Sequence, residues 1–286
     1  MSRIAVTAAS GQLGAAIVRA TVDVVGRDGV VGLARTPEKA AALGVEVRPG
    51  DYEAPDALRG SLQGVETVLL VSGMDPPERR IELHRNVIGA AKDAGVRKLV
   101  YTSIQGPEEG TGFSPIVRSN RRTEQDVRES GLEWAIGRNG IYIEPDVESL
   151  DAYVRAGEIA NCAGDGRCGY TTRPELAYAY ARLLTGSSHD GRVHDLHGEP
   201  ITQAELADHL NAAFGTNLVA RDMSVEEYRR ERVAALGEFL GTVIAGIYEG
   251  IRGGAFDGES RFAAVAGREH RRWADALAAS RPGAGA

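Results

Sequence analysis

The fold of this chain is decided by its opening stretch, Ile4-Ala5-Val6-Thr7-Ala8-Ala9-Ser10-Gly11-Gln12-Leu13-Gly14. A short apolar run enters a turn of small residues, and apolar side chains then recur at helical spacing from Leu13 to Val24. A strand, a glycine turn and a helix in this order present the first N–H groups of the helix to the pyrophosphate of a dinucleotide. In this arrangement Gly11 lets the phosphates approach the backbone, and Gly14 lets the helix pack close to the strand.

A second signal follows the next predicted strand, Val30–Ala34. Sites that prefer NAD usually carry an Asp or Glu about 20 residues after the glycine turn, where it binds the ribose 2′-hydroxyl. Here Arg35 follows the strand directly, and Lys39 stands one turn later. A guanidinium can bind a 2′-phosphate, which a carboxylate would repel. The pattern favours NADP(H), the alternative being that both cations are merely solvated loop charges.

Composition sets limits on the class of protein. The chain has 286 residues, of which 43% are hydrophobic, and a formal net charge of −7, which is typical of a globular protein and argues against a nucleic-acid partner. We see no signal-peptide pattern, and the longest apolar run, Val68–Val71, is too short for a bilayer, so we expect a cytoplasmic protein without a membrane partner. Cys162 and Cys168 lack further ligands at metal spacing, so we expect two free thiols and no metal site.

Short apolar strands alternate with helices in the first half, which indicates βαβ crossovers and a parallel sheet. The predicted strands are Ile4–Val6, Val30–Ala34, Val45–Arg48, Thr67–Val71, Leu99–Thr102 and Glu133–Ile136. After Ile141 helices dominate, at Val147–Arg155, Pro174–Leu184, Gln203–Phe214, Val225–Leu236, Glu238–Ile251 and Glu269–Ala279, and the tail Arg281–Ala286 should fray. We therefore predict an α/β fold, a Rossmann doubly wound parallel sheet with a smaller, mostly helical C-terminal lobe. The dinucleotide-binding domain would span 1–141, joined by a late strand near 192–196, and the substrate-binding lobe would span 142–286.

Several short motifs occur in an order and spacing that identify a family: Thr7–Gly14, Arg35-Thr36-Pro37, Gly50-Asp51-Tyr52, His84–Ile88, Tyr101-Thr102-Ser103, Gly137–Gly140, Thr172-Arg173 and Gly254–Asp257. In them the chain resembles the NmrA-like group of atypical short-chain dehydrogenases. It is most similar there to the NADPH-dependent type 2 quinone oxidoreductases and the triphenylmethane-dye reductases. The similarity runs over essentially the whole chain, and it implies the Rossmann fold with a small helical lobe.

The resemblance also implies a role for individual residues. Ser10 to Leu13 would line the pyrophosphate, Arg35 would bind the 2′-phosphate, and Arg138 and Gly140 would lie on the substrate side. Together with Lys39, the residues expected to contact NADP(H) are Thr7, Ser10, Gly11, Gln12, Leu13, Arg35, Asp51, Tyr52, Val71, Ser72, Gly73, Thr102 and Ser103. The candidate catalytic residues, in hydrogen-bonding or positioning roles, are Asn120, Asn139 and Tyr142.

Two departures from the family pattern bear on binding and on catalysis. The family turn begins with glycine where this chain has Ala8; if the position needs a positive φ, alanine costs on the order of 1 kcal/mol and weakens binding. Ordinary short-chain dehydrogenases use a Tyr and a Lys four residues later as a proton relay, and no such pair follows the fifth strand. Asn120 stands where the family has Lys or His, and a neutral amide is neither a general acid nor a general base.

These observations favour a reductase whose acceptor needs no such relay. An electron-poor acceptor takes a hydride readily and can be protonated by water, so we predict an NADPH-dependent reductase of quinones or similar conjugated small molecules. Two alternatives stay open: a redox sensor that binds dinucleotide without turnover, and a tailoring reductase of one specialised metabolite. A homodimer is compatible with the sequence. We expect His84, on a helix, to be a surface or packing histidine.

Overall fold

The computed structural model describes residues 3–279 and is organised around a seven-stranded parallel sheet, with two smaller pairs of strands. The strands are β1 (Ile4–Val6), β2 (Val30–Ala34), β3 (Glu46–Pro49), β4 (Thr67–Leu70), β5 (Lys98–Ile104), β6 (Glu133–Asn139), β7 (Ile141–Tyr142), β8 (Glu158–Asn161), β9 (Tyr170–Thr171), β10 (Arg192–Leu196) and β11 (Val219–Asp222). The large sheet has the order β3-β2-β1-β4-β5-β6-β10, and its neighbouring strands pair in parallel. This confirms the predicted doubly wound α/β fold, in which the strand order reverses beside β1.

The helices within residues 3–279 flank this sheet and build most of the second half of the chain. They are α1 (Gln12–Val25), α2 (Pro55–Ser61), α3 (Pro77–Asp93), α4 (Ser114–Arg128), α5 (Glu144–Glu148), α6 (Leu150–Ala156), α7 (Arg173–Thr185), α8 (Gln203–Phe214), α9 (Val225–Leu236), α10 (Glu238–Arg252), α11 (Phe262–Ala266) and α12 (Trp273–Ala279). Helices α1, α7 and α11 bury apolar side chains against one face of the sheet, and α2, α3 and α4 against the other. No helix within residues 3–279 is long and apolar enough to cross a membrane.

The central strands are buried on both faces, which explains their continuous apolar runs. In β1, Ile4 and Val6 belong to the core under α1 and α7, whereas Ala5 belongs to the core under α2 and α3. Because side chains alternate between the two faces of a strand, each residue of β1 must be apolar. The carboxyl ends of β1, β4 and β5 thus meet at one edge, where the predicted site residues follow.

The second half of the chain differs from the sequence prediction in several elements. Strands β8 and β11 form a parallel pair, and β7 pairs with β9; these short strands carry no extended apolar alternation, and β11 is exposed throughout. The predicted helix Val147–Arg155 is two helices, α5 and α6. The predicted tail, Arg281–Ala286, lies outside the described residues.

The last helix begins at Trp273 and not at Glu269, because the segment before it is bound elsewhere. Arg268 donates to both carboxylate oxygens of Glu175 at 2.6 and 2.8 Å, and the backbone N–H of Arg271 donates to the same carboxylate at 3.2 Å. Glu175 lies in the first turn of α7. These contacts fasten the chain that precedes α12 to the main sheet layer.

Both cysteines are buried and free, as expected. Burial raises the pKa of each thiol, which keeps it protonated and unreactive near neutral pH. Among residues 3–279 no group of three or more His, Cys, Asp or Glu side chains could hold a metal ion.

Candidate functional site

The turn between β1 and α1 contains a strained backbone position. Ala8 has φ +49°, and among residues 3–279 it is the one non-glycine residue with a positive φ. Its carbonyl oxygen accepts the N–H of Gly11 at 2.9 Å, so the turn is closed tightly. For an L-residue this left-handed conformation costs about 1 kcal/mol. The position therefore does need a positive φ, and alanine occupies it at a cost.

The start of α1 is free to bind an anion. Its N-cap, Gly11, is in extended conformation and supplies no side-chain cap, and the first turn contains no acidic residue. By contrast, the N-termini of α7, α8 and α9 are capped by Thr172, Thr202 and Ser224. Uncapped N–H groups at the positive end of a helix dipole bind phosphate. Ser10, Gly11 and Gln12 are exposed there, so this helix end fits a pyrophosphate.

Arg35 and Lys39 lie on the surface just beyond β2. Neither forms an ion pair with any acid of the described chain, whereas most other arginines near strand ends do, such as Arg48 with Glu46 at 2.6 Å. Two cations without carboxylate partners next to an anion-binding helix end are available to a further phosphate. The geometry therefore fits the 2′-phosphate expected from the sequence.

The chain leaving β4 is held on both sides by hydroxyl groups. On one side, the N–H of Val71 donates to Thr7 Oγ1 at 2.9 Å, and the Tyr52 hydroxyl donates to the Val71 carbonyl at 2.9 Å. On the other side, the N–H of Ser72 donates to Thr102 Oγ1 at 2.8 Å. Thr7 and Thr102 are buried, so their hydroxyls shape this wall of the site, while the backbone from 72 to 73 is partly exposed. Asp51, just before Tyr52, accepts the N–H of Glu53 at 3.1 Å within a local turn.

A buried carboxylate, which the sequence analysis missed, organises the end of β5. Glu124 of α4 has 0% exposed surface and accepts the Ser103 hydroxyl at 2.7 Å. Arg138 donates to both of its oxygens at 2.8 Å, and Arg121 and Arg128 approach it at 2.9 Å. Burial alone would raise the pKa of Glu124, but hydrogen bonds from Arg138 and the charge of Arg121 hold it below its usual value.

The side chains of Ser103 and Arg138 therefore form hydrogen bonds with Glu124, although the sequence analysis expected them to contact the cofactor and the substrate. The sequence signal for this cluster is weak: Glu124 shares the stretch Arg118–Arg128 with four arginines and with a second acid, Asp126. The partners of Glu124 come from β5 and β6, and the sequence around Glu124 does not show that these strands lie beside α4.

The three candidate catalytic residues belong to two separate hydrogen-bond networks. The Asn120 carbonyl oxygen accepts the Tyr101 hydroxyl at 2.6 Å and the Ser72 hydroxyl at 3.1 Å, and its amide donates to the Ile116 carbonyl at 2.9 Å. Asn120 is buried, and these contacts tie α4 to the ends of β4 and β5. A neutral amide held in this way positions the strand ends.

Asn139 and Tyr142 belong to the second network, together with Tyr180 of α7. The Tyr180 hydroxyl lies 2.6 Å from Asn139 Oδ1 and 2.9 Å from the Gly137 carbonyl oxygen, and these two acceptors share its one hydrogen. Asn139 Nδ2 donates to the Tyr142 oxygen at 3.3 Å. This orientation leaves the Tyr142 hydroxyl hydrogen for another acceptor. The Arg173 guanidinium lies over the Tyr142 ring, 5.4 Å from its centroid. The sequence analysis named Arg173 in a family motif but assigned it no role in the site.

The pKa of Tyr142 is raised above its ordinary value. Burial is the main cause, and it outweighs the opposing effects of the Asn139 hydrogen bond and the Arg173 charge. Tyr142 therefore keeps its proton near neutral pH and is a hydrogen-bond donor.

A parallel sheet with this strand order, an uncapped helix at the point where the order reverses, and polar side chains after the carboxyl ends of its strands define a dinucleotide-binding protein of the Rossmann class. The chain belongs to the NAD(P)H-binding family, whose sequence model matches residues 8–184.

Individual relatives confirm the expected NmrA-like membership. The chain is 34% identical over 260 residues to quinone oxidoreductase 2 of Escherichia coli strain K12, covering 89% of this chain and 90% of that protein. An NmrA-like family domain-containing oxidoreductase, flvB, of Aspergillus flavus is 30% identical over 256 residues, covering 85% of this chain and 83% of that protein.

Solved structures of reductases also superpose on this chain over almost its whole length. The NADPH complex of the Escherichia coli quinone oxidoreductase superposes with a TM-score of 0.85 at 30% identity, covering 96% of this chain and 98% of that one. The NADP(H) complex of the Citrobacter sp. triphenylmethane reductase superposes with a TM-score of 0.88 at 32% identity, covering 97% of this chain and 99% of that one.

Proposed function

We propose that this chain binds NADPH and transfers a hydride from its nicotinamide to a quinone or a similar electron-poor conjugated small molecule. The observation that carries the cofactor choice is the pair of unpartnered cations, Arg35 and Lys39, beyond β2. The names of relatives at 30–34% identity, a quinone oxidoreductase and a dye reductase, support an acceptor of this chemical class.

The binding roles follow from exposure and charge. The free N–H groups of Gln12 and Leu13, with the exposed Ser10, hold the pyrophosphate at the start of α1, and Gly11, which has no side chain, lets the phosphates approach. Arg35 binds the 2′-phosphate as a planar fork of donors, with Lys39 as a second, point-like cation. The backbone from 71 to 73 and the turn at Asp51 and Tyr52 form the wall for the adenosine.

Tyr142 acts on the acceptor. Because its oxygen accepts from Asn139, its hydroxyl hydrogen is directed toward the oxygen of the acceptor, where negative charge develops. The Arg173 cation beside the ring favours that charge. Asn120 does not exchange a proton; it holds Ser72 and Tyr101 in place. Hydride transfer to a quinone leaves a hydroquinone monoanion, and solvent water supplies the proton that converts this anion into the quinol.

The first test is a calorimetric titration with NADPH and, separately, with NADH, on the wild type, on Arg35→Glu and on a matched control. Arg19→Glu is the control, because Arg19 is an exposed cation on α1 beyond the phosphate-binding turn. We expect Arg35→Glu to weaken NADPH binding about tenfold or more, since hydrogen bonds to a charged group contribute about 1.5–3 kcal/mol, and to leave NADH binding almost unchanged. Equal losses for both cofactors would contradict the assignment of Arg35.

Oxidation of NADPH across a panel of quinones, azo dyes and triphenylmethane dyes then tests the acceptor class. A dinucleotide-binding redox sensor is the second candidate, and the strained turn at Ala8 favours it because weaker binding suits a sensor of changing cofactor levels. NADPH binding without oxidation by any acceptor would support the sensor. Turnover confined to one acceptor outside this panel would support a tailoring reductase.

A further inference from the structure

We propose that His84 is a positioning residue that holds the turn after β4 in the shape required to bind NADPH. The inference rests on the proposed cofactor site, to which it adds a residue of α3. The sequence analysis expected a surface or packing histidine. In the structure His84 is 1% exposed, and its ring is built into the wall of the site.

Two hydrogen bonds fix the imidazole. His84 Nε2 lies 3.1 Å from the N–H of Gly73, which can only donate, so Nε2 accepts. On the other side, Nδ1 lies 2.9 Å from Thr123 Oγ1, and the Thr123 hydroxyl donates its one hydrogen to the Ser119 carbonyl at 3.1 Å. The threonine oxygen must therefore accept from Nδ1–H. This chain of bonds selects the neutral tautomer with Nε2 free to hold Gly73.

The surroundings keep the ring neutral. Burial, and to a lesser degree the charge of Arg80 one turn earlier on α3, lower the pKa of His84 to about 3. Arg80 is itself buried, and burial lowers its pKa while Tyr101 and Asp75 favour its charged form. The acceptor on Nε2 is thus present across the pH range in which the protein would work.

His84 also touches the other walls of the predicted cofactor site. Its ring meets Tyr52 edge-on, with centroids 6.4 Å apart, and Tyr101 edge-on at 5.6 Å. Tyr52 follows β3, Gly73 follows β4, and Tyr101 precedes Thr102, the acceptor of the Ser72 N–H. One imidazole therefore contacts the segment after β3, the segment after β4 and a residue of β5, and it accepts the hydrogen bond that holds the Gly73 backbone.

The position of this turn depends on the hydrogen bond from the Gly73 N–H to His84 Nε2. If Nε2 is removed, the Gly73 N–H loses its partner inside a half-buried turn, and the backbone must rotate toward water. That rotation moves the wall against which the adenosine is proposed to lie, so affinity for NADPH should fall.

The experiment compares His84→Met, which removes both ring nitrogens, with His84→Gln, whose amide oxygen can replace Nε2 as acceptor. We expect His84→Met to raise the Kd and the KM for NADPH about three- to tenfold, the range of one net hydrogen bond, with kcat at saturating NADPH within about twofold of wild type. His84→Gln should recover most of the affinity. His194→Gln is the matched control, because His194 is a buried histidine of β10 away from this wall.

Thermal unfolding of each variant separates a structural effect from a binding effect. A lower Tm for His84→Met with unchanged Kd would overturn the proposal and leave His84 as a packing residue. Should His84→Met fail to fold, Thr123→Val keeps the ring but removes its Nδ1 partner, and it should raise the Kd for NADPH about two- to fourfold; an unchanged Kd there overturns the proposal equally. A wild-type protein that binds no NADPH would instead refute the proposed function itself.

Discussion

Gly14 and Gly11 lie in the same turn, yet an added methyl group should have different consequences at the two positions. At Gly14 the new Cβ would overlap the carbonyl oxygen of Ala8 and lie 2.8 Å from its carbonyl carbon and 3.1 Å from the Thr7 carbonyl oxygen. These neighbours are backbone atoms of the turn and cannot rotate away. At Gly11 the nearest atom is the same Ala8 oxygen at 3.2 Å, and the backbone has a negative φ of −83°, which alanine adopts.

The expected magnitudes follow from these contacts. Overpacking against backbone costs about 3 kcal/mol, and alanine in a helix returns somewhat less than 1 kcal/mol, so Gly14→Ala should lose about 2 kcal/mol of stability. For a chain of this size that lowers the Tm by about 3 °C. Gly11→Ala should lose less than about 1 kcal/mol, the cost of a poorer N-cap, but its methyl group occupies the approach of the phosphates. NADPH affinity should then fall about tenfold or more.

The assay is thermal unfolding of both variants with and without saturating NADPH, combined with a calorimetric Kd. Gly14→Ala should lower the Tm of the free protein, and Gly11→Ala should remove most of the stabilisation by NADPH while leaving the free Tm nearly unchanged. A Gly14→Ala protein as stable as wild type, or a Gly11→Ala protein with wild-type affinity, would refute the reasoning about this turn.

Two further predictions concern groups elsewhere in the cleft and in the second half of the chain. Tyr142→Phe should lower kcat for quinone reduction about tenfold or more through loss of one hydrogen-bond donor, with the Kd for NADPH within about twofold; an unchanged kcat in steady-state assays excludes this role. Burial raises the pKa of Asp146 to about 6, so the native state binds more protons than the unfolded state between about pH 4 and 6, and stability falls as pH rises through that window. The Tyr153 hydroxyl donates to Asp146 at 2.9 Å, and Asp146→Asn keeps an acceptor for it. This variant should raise the free energy of urea unfolding by about 2 kcal/mol at pH 7.5 but little at pH 4. Equal gains at both pH values would contradict the expected direction of the pH dependence.

The first half of the fold could be predicted because its signals are local. The runs at β1, β2, β4 and the Leu99–Tyr101 part of β5 are almost entirely apolar, since both faces of each strand are buried, and the glycine turn marks the entry to α1. The role proposed for Arg35 and Lys39 also rests on a local signal, because a cation directly after the second strand is visible in the sequence itself.

The hydrogen-bonded interior of the site could not be predicted, because each partner comes from a different part of the chain. The family pattern predicts that Ser103 contacts the cofactor and that Arg138 lies on the substrate side, but both side chains form hydrogen bonds with Glu124 of α4. His84 meets Gly73 and Thr123 only after α3 and α4 have packed side by side. Helical periodicity places His84 on a face of α3 but does not identify its partners.

The alanine at position 8 also affects how freely this family can change its sequence. Alanine and glycine codons differ by one base, and the main difference between the two residues here is the cost of a positive φ, to which the contact of the Ala8 methyl group with the core under α1 is added. Glycine would relieve the strain but would give the unfolded chain more conformations, so the two effects on stability oppose each other. Exchange between the two residues is then nearly neutral for folding. Selection at position 8 can act on the rigidity of the phosphate-binding turn alone, so a lineage can adjust how tightly it holds its cofactor without altering the rest of the site.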